Sequence, residues 1–330
     1  MTIKSSGSSL SFSEIEAEFG SNGGRTLGNY RLTQSVGQLS NLPLDSGIPT
    51  SGTIKFSDFY GKKLNVVVDC HSGGREDRKS AKGDKWNNNA VTVIGGFRSK
   101  KEDGSKIIIH VNKKFCSNKD AANRCALRTG GFNSSSTVQV DLGSSARILG
   151  AGGDGGNGQN GIDGGLSGGG TGTSALGIEH NGAVVNVSSG AIIRAGFGGG
   201  GGGGGGQQVD KGSDRRASGG GGGGGAGFPA GDGAAQVGGC GGGGVQGGTN
   251  ANETTAGDGG SGADNDSQAG GGSGGEGGQF GEAANSGGSS QRSGGAGGGD
   301  GAAIRRTSGF SVTINNSGTI QGSTNATGVG

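Results

Sequence analysis

Glycine sets the limit on what this chain can fold into. Residues 198–206 are nine consecutive glycines and residues 219–225 are seven more, with the segment QQVDKGSDRRAS between them. Of 88 glycines in 330 residues, 16 fall in residues 1–130 and the other 72 in the last 200 positions. The composition therefore breaks near 130–150, between two differently built regions. Glycine loses more freedom on ordering than any other residue, so such tracts are ordinarily tethers.

The spacing argues for a folded alternative. Glycine recurs every third residue at Gly152, Gly155, Gly158, Gly161 and Gly164, and at Gly238, Gly241, Gly244 and Gly247. The same step returns at Gly272, Gly275, Gly278 and Gly281, and at Gly295, Gly298 and Gly301. Three is the period of an extended left-handed helix of the polyproline II type, which makes no internal hydrogen bonds and directs its N–H and C=O groups sideways. Glycine lets such helices approach closely. Collagen is excluded by the broken phase and by only 3 prolines. The pattern predicts one chain folded back on itself as a bundle or sandwich of polyglycine II helices, in which the polar interruptions are turns.

Leu, Ile, Val and Phe make up about 17% of the residues, under the roughly 20% of ordinary globular chains, so an oily core cannot run the whole length. The core formers concentrate early. LNVVVD from Leu64, NAVTVIGGF from Asn89 and KIIIHVN from Lys106 read as strands of a small antiparallel unit. A second unit recurs as VQVDLGSSARILG from Val138, VNVSSGAIIRAG from Val185 and VTINNSGTIQG from Val312, each reading as strand, turn, strand. Near the N-terminus, Ser13 with Glu16 as a capping box and Gly20 as a C-cap predict a short helix over 14–19. That segment and its echo IKFSDFYG hold too few apolar residues to bury alone, which points to docking on a partner.

The inventory of chemistry is thin. No phosphate-binding loop, HExxH, GxSxG or paired-cysteine motif occurs, and His71, His110 and His180 are far apart, so neither catalysis nor a cofactor is expected. His110 reads as a packed or hydrogen-bonded strand histidine. Gly155–Asp163 approximates a calcium-binding nonapeptide but has Asn160 where an aspartate is wanted and is not repeated, so no metal is expected. Cys116 and Cys125 fit either a small disulfide loop or buried thiols. Residues 1–130 carry +8 and the rest −6, but the lysines lack interleaved aromatics, so nucleic acid is not an expected partner. The N-terminus has no apolar signal region and no run is long enough to span a bilayer, so neither Sec export nor membrane insertion is expected.

The phrases LSFSEIEAEFG and GTIKFSDFYGK resemble the N-terminal module of tail structural proteins of tailed phages, especially marine and cyanobacterial ones. IIIHVNKKFCSNKDAANRCALRTGGF, ILGAGGDGGNGQNG and VTINNSGTIQG resemble the glycine-rich tail fibre and adhesin proteins of such phages. The resemblance implies a virion protein at the tail fibre or tail tip, mainly β with polyglycine II helices. Residues 1–63 would be an attachment module, 64–150 a β-connector and 151–330 a receptor-binding domain with exposed loops. It implies docking on other tail or fibre proteins through Leu10, Phe12, Ile15, Phe19, Phe56, Phe59 and Tyr60, as a homotrimer or as one copy at a fibre tip. It implies a host cell-surface receptor, a surface polysaccharide or outer-membrane component, met by Asp214, Arg215, Arg216, Phe228, Asn252, Asp264, Asn265, Phe280 and Arg292. The alternative is a structural tail or baseplate component whose glycine region is a spacer without a receptor.

Overall fold

The computed structural model describes residues 3–20, 26–31, 34–36, 39–42, 45, 47–70, 74–75, 91–94, 104–118, 121–162, 164–210, 213–235, 246–265 and 269–329. Three sheets run side by side, and the chain visits them in rotation. In spatial order the first holds Asn65–Cys70, Lys106–Val111, Thr137–Leu142, Ala183–Val187 and Val312–Asn316. The second holds Gly74–Arg75, Lys114–Cys116, Arg147–Leu149, Ile192–Arg194 and Thr319–Gln321, and the third Cys125–Arg128, Ser174–Ile178, Ile304–Arg306 and Ala326–Thr327. Successive rungs pair in parallel. Val91–Ile94 runs antiparallel, on the outer edge of Asn65–Cys70.

This is a parallel coil: LNVVVD and NAVTVIGGF pair antiparallel as expected, KIIIHVN pairs parallel with LNVVVD instead, and the three later repeats are strand, turn, strand as expected, with each turn passing from one sheet to the next. The two strands of VQVDLGSSARILG do not face each other; they lie in different sheets, one rung of the coil each. The arrangement is favoured because each unit's apolar residues then stack on those of the units before and after. Ile109, Val140, Val185 and Ile314 are in register on one side, and Phe115, Ile148, Ile193 and Ile320 on the next. Leu127, Leu176 and Ile304 align on the third. These belong to one continuous core, where each fully buried Ile or Leu contributes about 1.5–3 kcal/mol.

The N-terminal segment closes onto that core. Its helix is Phe12–Phe19, capped two residues earlier than expected: Ser11 Oγ accepts from Glu14 N–H (3.3 Å) and the Glu14 carboxylate accepts from Ser11 N–H (2.8 Å). With the cap at Ser11, Ile15 and Phe19 are buried. Lys4 and then Ser11 hold the Glu14 carboxyl down to about 2. Phe19, Tyr30 and Phe59 form an edge-to-face trio with centroids about 6 Å apart. The buried Glu18 carboxylate accepts from Leu64 N–H at 2.9 Å, stitching the segment to the first rung.

The glycine region forms a slab of extended tracts running alternately away from and back to the coil: 150–160, 166–174, 195–206, 218–227, 231–235, 246–252, 257–263, 271–278, 284–288 and 294–302. Hydrogen bonds run between tracts, with a three-residue step. N–H groups of Gly196, Gly199 and Gly202 donate to one neighbour, at Thr173, Gly170 and Ser167. Those of Phe197, Gly200 and Gly203 donate to a second, at Ala226, Gly223 and Gly220, and those of Gly201 and Gly204 to a third, at Asn285 and Gly288. A Cβ on Gly196, Gly199 or Gly202 would sit 1.8, 2.1 or 2.0 Å from the carbonyl oxygen of Ala151, Asp154 or Asn157. Gly198 and Gly201 meet equally close carbonyls of Gly298 and Gly295 on another side. Glycine is thus required in several directions around one tract.

The period-three runs map unevenly onto this lattice. Gly152, Gly155 and Gly158 pack on Gly225, Gly222 and Gly219, and Gly295, Gly298 and Gly301 also lie inside. Gly161 (φ +58°) and Gly281 (φ +91°) instead make turns, while Gly238, Gly241 and Gly244 lie outside the described residues. The whole slab occupies one corner of the coil, between the second and third sheets. It is left at Leu149 and rejoined at Ser174, then left at Arg194 and rejoined at Ile304. The expected 151–330 unit is therefore not contiguous, since the coil reclaims 174–194 and 304–327.

Candidate functional site

The slab has two ends, and they gather different residues. At the far end the hairpin Gly206–Asp210 with Ser213–Ala217 meets the turn at 161, the paired strands Asp264–Asn265 and Ala269–Gly270, and the turn at 289–293. Gln207 N–H donates to Gln291 Oε1 (2.8 Å), Arg292 N–H to Gly205 O (3.2 Å), and Ser290 Oγ to Gly270 O. Ser218 Oγ donates to Asn160 Oδ1 at 3.1 Å. The segment 207–218, expected as a loop, is an antiparallel hairpin with Val209 opposite Asp214, Gln208 opposite Arg215 and Gln207 opposite Arg216. The left-handed turn at Gly161 receives the stem of Arg216; a Cβ there would lie 3.2 Å from Arg216 Cδ. Asp264 and Asn265 form a short strand facing Gly270 and Ala269, and Arg292 is exposed. Six of the sequence-derived contact residues thus share this end: Asp214, Arg215, Arg216, Asp264, Asn265 and Arg292.

The other three, Phe228, Asn252 and Phe280, lie at the opposite end, against the coil. Phe228 follows the tract ending at Gly227, whose N–H donates to Asn252 O (3.1 Å), and Phe228 N–H donates to Gly150 O (2.8 Å). Phe228 and Phe280 are the exposed large apolar side chains among the described residues, at 36% and 54%. Lys114 Nζ lies 3.1 Å from the Phe228 ring centroid and also donates to Glu253 Oε2 at 3.3 Å. Glu253 further receives Arg194 Nη1 at 3.1 Å and Arg147 at 3.6 Å, so three rungs of the second sheet clamp one turn of the slab. Sequence reasoning missed Glu253, because its partners are up to 139 positions away and a lone glutamate in NETT carries no local signal. Nearby, Asp300 Oδ1 accepts from Gly198 N–H at 2.9 Å, and burial pushes its carboxyl above the ordinary aspartate range.

Of the expected docking residues, Ile15, Phe19 and Phe59 are spent inside the chain's own core and cannot be offered to a partner. The few apolar residues of this segment find their burial partner in the coil. Tyr60 is half-buried and its hydroxyl donates to Ser8 O. Leu10, Phe12 and Phe56 stay partly exposed, with Phe12 and Phe56 edge-to-face at 4.8 Å. His110 is buried on its strand, its Nδ1 2.9 Å from Asp69 Oδ1. Cys116 and Cys125 are buried thiols, the latter pushed up to about 12 by burial. Asp163 of the calcium-like segment lies outside the described residues; no metal-holding cluster of His, Cys, Asp and Glu occurs among those described.

With the geometry in hand, comparison is informative. The family model described as "Phage tail fibre adhesin Gp38" matches residues 79–325. Among solved structures the chain is similar to the crystal structure of the gp37-gp38 adhesin tip complex of the bacteriophage S16 long tail fiber. That match is 20% identical, covers 94% of this chain and 96% of that chain, and has a TM-score of 0.39. No curated protein matches the chain.

Proposed function

The chain belongs to the phage tail fibre adhesin family Gp38, and on that premise we propose that it binds a host cell-surface receptor through the far end of the glycine slab. Family membership makes it a virion protein of the tail fibre. The observation that carries the receptor reading is convergence. Segments separated by most of the slab's length (160–161, 206–210 with 213–217, 269–270 and 288–292) meet at one end and are tied to one another by hydrogen bonds. Binding residues are commonly displayed on loops held by a rigid scaffold. The residues of these segments, among them Arg215, Arg216, Arg292, Asp210, Asp214 and Asp264, give this end a polar composition of mixed sign. That chemistry suits a hydroxyl-rich surface polysaccharide or the polar part of an outer-membrane component better than an apolar protein face.

The scaffold itself is a sandwich of polyglycine II helices. Supporting this reading are the three-residue donor step and the carbonyl contacts that exclude a Cβ on several sides of one tract. Attachment to another tail or fibre protein uses residues 1–63, with Leu10, Phe12 and Phe56 as the apolar contact and the buried Ile15, Phe19 and Phe59 as its support. The experiment is adsorption of phage carrying Arg215→Ala, Arg216→Ala and Arg292→Ala together. The adsorption rate constant should fall at least tenfold, about 1.4 kcal/mol or more, with the adhesin still present in the virion. Unchanged adsorption with normal incorporation would instead favour the structural-spacer alternative.

A further inference from the structure

At the end of the slab against the coil, the turns around 228 and 253 border an open cavity of about 460 Å³, lined by Phe228, Pro229, Ala230, Asp232, Asn252 and Glu253. This lies within the size range of small-ligand sites, which pair an apolar wall with a few fixed polar groups. The apolar wall here is an aromatic ring that the fold leaves 36% exposed. One face of the ring carries the Lys114 ammonium, and the ring also lines the open cavity.

The walls are held before any ligand arrives. Lys114 bridges the Phe228 ring and the Glu253 carboxylate, tying the two turns together, and Arg194, nearly buried, grips Glu253 from beneath. Asn252 Oδ1 accepts from the N–H groups of Thr254 and Thr255, each at 2.8 Å, which fixes the second turn and leaves Nδ2 to donate. A preformed site spares a weak ligand the cost of ordering it. Charge then selects the ligand. Lys114, Arg147 and Arg194 all converge on Glu253, and Asp154 accepts from the Asp232 backbone N–H beside the same turns, so three cations and three carboxylates share the site and it has no excess charge to attract an acidic or a basic group.

We propose that this cavity binds a neutral pyranose unit of a glycan, its C–H face on the Phe228 ring and its hydroxyls bonded to Asn252 Nδ2 and the Asp232 carboxylate. The site is separate from the far-end turns. It rests on the adhesin reading only for the source of its ligand, a glycan of the host surface.

Saturation-transfer NMR on the full-length protein tests this with the methyl glycosides of glucose, galactose, mannose and N-acetylglucosamine, and with methyl glucuronide as the charged comparator. At least one neutral glycoside should receive saturation at its ring C–H protons. Phe228→Ala should weaken that binding at least tenfold, Phe228→Trp should retain it, and the glucuronide should bind more weakly. The far-end triple variant should leave sugar binding unchanged whatever it does to adsorption, so the two readings fail separately. Silence from every neutral glycoside, transfer surviving Phe228→Ala, transfer lost in Phe228→Trp, or stronger transfer to the glucuronide would overturn the proposal.

Discussion

The coil and the slab solve the same problem with opposite materials. In the coil the side chains do the holding: Phe115, Ile148, Ile193 and Ile320 stack rung on rung, and the backbone ladder follows. In the slab the backbone does the holding, and a side chain is an obstruction. The lesson concerns tolerance. A core of side chains yields gradually when trimmed, because neighbours relax into the gap. A lattice whose contacts are backbone to backbone has nothing flexible to move.

The largest expected effect breaks the slab's rule. Gly202→Ala sets a methyl 2.0 Å from Asn157 O, where ordinary contact begins near 3.4 Å, so whole tracts must separate. A loss of about 4 kcal/mol or more is expected, with amide-exchange protection lost from tracts 195–206 and 150–160 but kept in the coil. Retained protection would show that the lattice can breathe. The coil's matching change is milder. Ile193→Val, at a fully buried position, should cost about 1 kcal/mol in denaturant unfolding, because one methylene leaves a core that can settle. A penalty as large as the slab's would erase the contrast.

The smallest effect lies where the two regions meet. Burial raises the Asp300 carboxyl, so this group favours the fold below the ordinary aspartate value of 3.8, and that contribution is lost as pH rises through the raised folded value. Asp300→Asn keeps an acceptor for Gly198 N–H and removes the partly desolvated charge. The variant's Tm should exceed the parent's slightly at neutral pH and converge with it below about pH 3.8; a lower Tm at neutral pH would mean that the charged hydrogen bond outweighs burial.

What could be read from the sequence follows the same division. The lattice's rule is local, a glycine every third residue, and Gly152, Gly155, Gly158, Gly295, Gly298 and Gly301 obey it; Gly161 and Gly281 fit the count but make turns, because period alone does not mark where a tract ends. The coil's strands were legible from apolar alternation, but their partners were not. Asn186 meets Asp141 45 positions back, whereas Asn315 meets Asn186 129 positions back, an interval set by an excursion with no bearing on strand propensity. The candidate site was legible only as a set of polar interruptions. Their sorting to opposite ends depends on the direction of each tract, which reverses at every turn, and the clamp on Glu253 on pairings that local pattern cannot reveal.

The longer excursion begins and ends at one point: Gly301 N–H donates to Gly196 O at 2.8 Å, and the rungs that flank it are fixed by parallel pairing within the coil. Segments whose ends lie together are the ones that chains exchange or insert with least disturbance. Recombination with joints near 195 and 302 would carry every far-end segment except the turn at 160–161, together with the residues lining the Phe228 cavity, as a single cassette. Residues 1–63 and the coil's strands would pass unaltered into the hybrid, so on the receptor-binding reading proposed above a lineage could change what it recognises in one genetic event without renegotiating how it is carried.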